Sequence, residues 1–143
     1  MIKVRSWRAA VGAGAIVATV VLGLTGCTGS GYSVLDRDAQ ASDTLPANFP
    51  ESASGSVVPS SVRFAGMYRG DLLYAAKGVN SASYGGETVC LLVYTELSEK
   101  WSTVCGHGPV GVGDGFRDYT LRIDGAPIPE GAVRVTPNVF VIE

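Results

Sequence analysis

The chain has 143 residues, 46% of them hydrophobic, with 13 acidic and 11 basic side chains and a formal net charge of −2. That length suffices for one domain with one core. The slight acidic excess excludes the electrostatic footprint of a nucleic-acid binder, and nothing in the composition implies a cofactor.

In chain order, Lys3, Arg5 and Arg8 come first as a positive stretch, and residues 9–24 follow without a charge. A helix of that run rises about 1.5 Å per residue and falls short of a ~30 Å hydrocarbon core. Thr25 and Gly26 then present small side chains before Cys27, as a cleavable export signal does. Leu24-Thr25-Gly26-Cys27 resembles the lipobox of bacterial lipoproteins. The resemblance implies that Leu24, Thr25 and Gly26 are recognised by a signal peptidase and that residues 1–26 are removed. It further implies that Cys27 becomes the first residue and carries a diacylglyceryl group and palmitate. Its sulfur is required because the lipid is held through a thioether. Two or more acyl chains anchor a protein stably, so the membrane becomes the first expected partner. The location implied is the cell membrane, lipid-anchored, on the extracytoplasmic face. Arg5 and Arg8 are separated by Ser6-Trp7, so the twin-arginine route is not supported, and Thr28 stands where an inner-membrane retention aspartate would.

Removing the first 26 of 143 residues leaves 117, and it removes three of the 11 basic side chains but none of the 13 acidic ones. The mature chain therefore carries 8 basic against 13 acidic groups, a formal −5, which opposes electrostatic adhesion to anionic lipid. With Cys27 committed to lipid, Cys90 and Cys105 remain as a pair in an oxidising compartment, where a disulfide is expected.

Residues 27–60 are rich in Gly, Ser, Ala, Pro and Asp and read as a flexible, disordered tether. Within it residues 36–43 suggest a short helix capped by Asp36 and ended by Leu45-Pro46 and Phe49-Pro50. The β-rich domain spans 61–143. Val62-Arg63-Phe64 alternates, and Tyr68-Arg69-Gly70-Asp71 turns the chain into Leu72-Leu73-Tyr74-Ala75. Residues 88–94 are apolar on both faces, as a central strand covered on each side must be. Residues 101–105 return antiparallel, with residues summing to 195 facing each other: Cys90 with Cys105, Leu92 with Thr103, Tyr94 with Trp101. Period two puts all six side chains on one face, and residues 95–100 form the connecting loop. Residues 119–123 alternate with an apolar odd-numbered face. Val133-Arg134-Val135 and Val139-Phe140-Val141-Ile142 finish the chain, joined through Pro137-Asn138 by a turn looser than type I′, because proline fixes φ near about −65°. The fold class expected is mainly β: a small antiparallel sheet, folded over or partly closed as a barrel, behind an N-terminal signal helix and a linker.

Candidate chemistry is sparse. Gly106-His107-Gly108-Pro109-Val110-Gly111 matches the dinucleotide-binding glycine pattern, but a strand follows where that motif needs a helix N-terminus, so a mobile glycine-rich loop is expected. His107, the single histidine, lies two residues from Cys105; with that sulfur in a disulfide, neither a Cys/His nucleophile nor a metal site follows. Glu87, Asp114 and Asp118 are carboxylates that a glycosidase-like pair would have to draw on. Arg69-Gly70-Asp71 reads as hairpin chemistry. Tyr68, Tyr84 and Phe116 lie in or beside loops, where they either fold back over the core or meet a sugar or a protein.

Leu45-Pro46, Ser61-Val62-Arg63, the Val89-Cys90-Leu91 strand and the Trp101-to-Gly106 return resemble uncharacterised envelope lipoproteins of high-GC Gram-positive bacteria, a resemblance that implies no particular activity. The expected function is a non-enzymatic, lipid-anchored binding or accessory module of the cell envelope, with an envelope protein or glycan as partner. The competing class is a small envelope hydrolase using paired carboxylates.

Overall fold

Eight strands in two antiparallel four-stranded sheets carry the architecture in the computed structural model, which describes residues 29–79, 87–113 and 115–143. Residues 1–28, with Leu24, Thr25, Gly26 and Cys27 among them, and Tyr84 and Asp114 lie outside the described residues. Among the described residues no helix is long and apolar enough to cross a membrane.

The first sheet is a meander, β1 (Arg63–Tyr68), β2 (Asp71–Lys77), β3 (Val89–Thr95) and β4 (Lys100–Gly106), paired in sequence order. The β1–β2 turn places Arg69 at φ 48° and Gly70 at φ 90°, the two positive values that a type I′ hairpin demands. Arginine tolerates that conformation poorly, whereas Gly70 supplies it without a Cβ penalty. The β3–β4 register is the expected one: Cys90 faces Cys105, Leu92 faces Thr103 and Tyr94 faces Trp101. Pairing continues to Thr95 and Lys100, so the loop is two residues shorter than expected, with Glu99 at φ 52° leading back into β4.

The second sheet contains β5 (Val110–Gly113), β6 (Asp118–Leu121), β7 (Val133–Arg134) and β8 (Val139–Ile142), in the order β5-β6-β8-β7. It folds over the first, and the alternative of a partly closed barrel is not formed. Leu73, Ala75, Val89, Leu91 and Val93 from one sheet meet Val110, Tyr119, Leu121, Val139 and Val141 from the other. These are alternate residues along each strand, as period two requires. Tyr119 and Leu121 point inward as expected, but β6 ends at Leu121 and leaves Ile123 beyond it, 51% exposed. The residues between β7 and β8 form the expected loose turn, closed by Val135 and Thr136 N–H groups on the Val139 carbonyl.

Three expectations need correction. Val110 to Gly113 is not a loop: glycines at 111 and 113 strip β5 of one face's side chains, but its backbone still pairs with β6. The described part of the 27–60 stretch is not a free tether either. Tyr32 and Leu35 enter the core between the sheets, while Leu45, Phe49 and Val57 cover the outer face of the first sheet. That second layer packs on Tyr74, Ala76, Cys90 and Leu92, which explains why β2 and β3 are apolar on both faces. The expected helix over 36–43 is also absent. Asp36 ends a short helix, α1 (Ser33–Asp36), rather than opening one, and a 3₁₀ turn occupies Ala41–Asp43. A second short helix, α2 (Glu51–Ser54), follows Pro50.

Candidate functional site

Among the described residues two large apolar side chains are the most exposed, and they stand together. Leu97, on the β3–β4 loop, is 85% exposed, and Phe116, on the β5–β6 loop, is 79% exposed. They flank a single hollow of about 290 Å³, whose remaining lining is Thr95, Ser98, Lys100 and Ser102. Apolar walls over a floor of hydroxyls and one ammonium suit a partner that offers both apolar and hydrogen-bonding groups.

Beneath the two loops lies one buried acid. Asp71 opens β2 and is 1% exposed. Its Oδ1 accepts the Glu96 backbone N–H at 3.0 Å, one residue before Leu97. Its Oδ2 accepts from Arg117 Nη1 at 2.6 Å, one residue after Phe116, and from the Tyr119 hydroxyl at 2.5 Å. A carboxylate from the first sheet thus fixes the roots of both loops and crosses the sandwich to do so. Arg117 also faces Glu143 at 3.9 Å, and Glu143 accepts from Arg69 at 3.0 Å and from the Tyr68 hydroxyl at 3.3 Å. Tyr68 is therefore half-buried at the rim rather than a free loop aromatic. Burial raises the Tyr119 phenol pKa, the hydrogen bond to Asp71 adds to the rise, and Arg117 opposes it. Tyr119 therefore stays a neutral donor. Deleting one partner of such a buried pair leaves an uncompensated charge, which typically costs about 3–5 kcal/mol.

The second buried acid, Asp43, holds the N-terminal segment onto β1. It receives Arg37 Nη1 and Nη2 at 2.9 and 2.5 Å, the Phe64 N–H at 2.7 Å and the Gln40 N–H at 2.6 Å. Burial opposes its ionisation most strongly, but the Arg37 guanidinium and the two backbone N–H groups outweigh burial and hold the pKa down to about 2. A groove of about 440 Å³ lies alongside, between Leu45, Phe49, Val57 and Val62. Its acid already accepts four hydrogen bonds, which fills a carboxylate's capacity.

The other residues singled out from sequence are dispersed. Cys90 and Cys105 form a disulfide with Cα atoms 4.1 Å apart, close to the spacing of a non-hydrogen-bonded pair. The Tyr94 and Trp101 rings lie beside it with centroids 5.3 Å apart, and Phe49 meets Trp101 edge-on at 4.9 Å. His107 is exposed on the β4–β5 connection, away from any free thiol because Cys105 is bridged. Glu87 pairs with Lys77 at 2.5 Å, and Asp118 is exposed at the start of β6. Among the described residues no three His, Cys, Asp or Glu side chains gather as a metal-binding group. Sequence reasoning missed Asp71, Arg117 and Leu97. A signal existed in Arg117-Asp118-Tyr119: residues two apart on a strand share a face, so an arginine beside an inward tyrosine calls for a buried acid opposite. No known protein family matches this chain, and no characterised protein or solved structure matches it at a significant level.

Proposed function

We propose that this protein is a lipid-anchored, extracytoplasmic binding module of the cell envelope, tethered through Cys27 and presenting Leu97 and Phe116 to a protein partner. The observation that carries the binding role is the single buried carboxylate of Asp71, which fixes the roots of both loops. Loops held in place lose little entropy when they are engaged, so their exposed apolar side chains contribute binding energy that mobile tips would spend on ordering. The pairing of an aliphatic with an aromatic tip favours a protein over a glycan, because sugars stack on aromatic faces and gain little from leucine. The competing hydrolase reading needs two carboxylates facing one cleft. Of the carboxylates that reading draws on, Glu87 pairs with Lys77 and Asp114 lies outside the described residues. The two buried acids, Asp43 and Asp71, lie at opposite ends of the β1–β2 hairpin, each bound to its own arginine, which supports binding.

A photo-crosslinking residue placed at position 97 in cells tests the binding role. A discrete adduct with an envelope protein is expected, lost on adding Phe116→Asp and absent when the crosslinker sits at position 133, on the exposed edge strand β7. Adducts at 97 that do not differ from those at 133 would overturn it. The anchor is tested separately by fractionating cells that express Cys27→Ser, which should accumulate uncleaved.

A further inference from the structure

From the way residues 29–32 are held, we infer that the pole carrying Ile123, beside Gly31, rests on the lipid bilayer, so that the Leu97/Phe116 pole faces away from it. The inference rests on the proposed lipid at Cys27 and adds to it a membrane-contact surface.

The leash is short at its domain end. Consecutive Cα atoms are about 3.8 Å apart, so at most roughly 7 Å separates Cys27 from Gly29. From Gly29 onward the chain is fixed. The Ser30 N–H donates to both Asp36 carboxylate oxygens at 2.9 and 3.0 Å. The Gly31 carbonyl accepts the Asp124 N–H at 2.7 Å, and Tyr32 is buried between the sheets with its hydroxyl 3.4 Å from the Gly108 carbonyl. A thioether-linked lipid at Cys27 therefore draws this pole, and no other, against the head groups.

The pole is built for that contact. Ile123 lies beside Gly31, with its Cγ2 3.7 Å from where a Cβ on that glycine would stand. It is 51% exposed, and Ile128, between Pro127 and Pro129 on the same β6–β7 connection, is 52% exposed. The two carboxylates nearest Ile123 are engaged within the fold, whereas Glu130, two residues after Ile128, is exposed. Asp36 holds Ser30, and Asp124 accepts from Ser33 and from Asn138 Nδ2 at 2.8 Å. Apolar side chains beside surface acids whose charge is partly met by the fold's own donors fit the zone where acyl chains meet head groups. Attraction to anionic lipid has no part in this, because the mature chain is itself acidic.

The two poles are separated along β6. That strand starts at Asp118, two residues after Phe116, and its three steps to Leu121 cover roughly 10 Å at about 3.3 Å per residue, with Ile123 two residues further on. Seating one pole on the membrane holds the other clear of it.

The test uses the full chain, processed in cells and reconstituted into phosphatidylcholine vesicles with and without brominated acyl chains. Ile123→Trp and Phe116→Trp replace exposed side chains, and the parent's Trp101 emission is subtracted. Loss of emission from Ile123→Trp in brominated vesicles, with none from Phe116→Trp, is the expected result, unchanged by high salt. Acylated protein whose Ile123→Trp signal is not quenched overturns the seating while leaving the anchor intact. So does a signal shielded from aqueous iodide yet insensitive to bromine, which would mean that a second copy or another protein covers the pole. A mass spectrum without acyl chains on Cys27 overturns the anchor and the seating together.

Discussion

Asp43 ties residues 37–43 to β1 through four hydrogen bonds, and its carboxyl is held at about 2 against an ordinary 3.8. A carboxyl whose folded pKa lies below its unfolded value stabilises the fold at pH values above the unfolded pKa. That contribution is lost as pH falls through the folded pKa. The difference corresponds to roughly 2 kcal/mol. Urea unfolding of the parent and of Asp43→Asn should therefore show a gap in stability near pH 6 that shrinks between about pH 4 and pH 2; a gap that stays constant over that range would mean that Asp43 acts through packing alone. Neither buried acid was legible as such in the sequence. Gly70-Asp71 has the composition of a hairpin turn, and Asp43 sits in a segment where aspartates look solvated. What makes them tolerable inside is an arginine together with further donors for each, Arg37 six residues before Asp43 and Arg117 forty-six after Asp71.

At the scale of the elements, the β3–β4 hairpin was the most legible part of the chain. Two cysteines fixed its register, and period two did the rest, down to the aromatic pair beside the bridge. Strand β5 was hidden for the opposite reason. In Val110-Gly111-Val112-Gly113 every second position lacks a side chain, so the alternation that marks a strand reads as loop composition. The hairpin also gives a prediction. The bridge closes a loop of 15 residues, which should stabilise the domain by around 3 kcal/mol by restricting the unfolded chain. Replacing both cysteines by alanine should lower the unfolding free energy by about that amount, while the far-ultraviolet circular dichroism of the β sheets persists. Cys90 is fully buried against Val57 and Leu92, so part of the loss will come from packing. Complete loss of the sheet signal would show that the bridge directs folding rather than reinforcing it.

The whole molecule is a three-layer object that its sequence presents as two parts. A tether composition over residues 27–60 conceals five apolar anchors at irregular spacing, Tyr32, Leu35, Leu45, Phe49 and Val57, which no helical or strand period would reveal. Without them the outer face of β2 and β3 would be bare, and the gap between the sheets would lose a tyrosine and a leucine. Fully burying a large apolar side chain is worth about 1.5–3 kcal/mol. With Leu45 and Phe49 only partly covered, the five together contribute on the order of 8 kcal/mol, comparable with the ~5–15 kcal/mol total stability of a domain this size. Asn138 adds a polar clip, since its amide donates to Arg122 and Asp124 and accepts from Ser33 and Val34. A fragment beginning at residue 61, where composition places the domain boundary, should therefore fail to fold, whereas one beginning at residue 29 should fold without any lipid. Dispersed amide resonances for the longer fragment and collapsed ones for the shorter are the expected outcome. A cooperative unfolding transition in the shorter fragment would show that the N-terminal layer is dispensable. It would also give back to residues 27–60 the freedom of a tether, and the bilayer-facing pole would then no longer be fixed by the anchor.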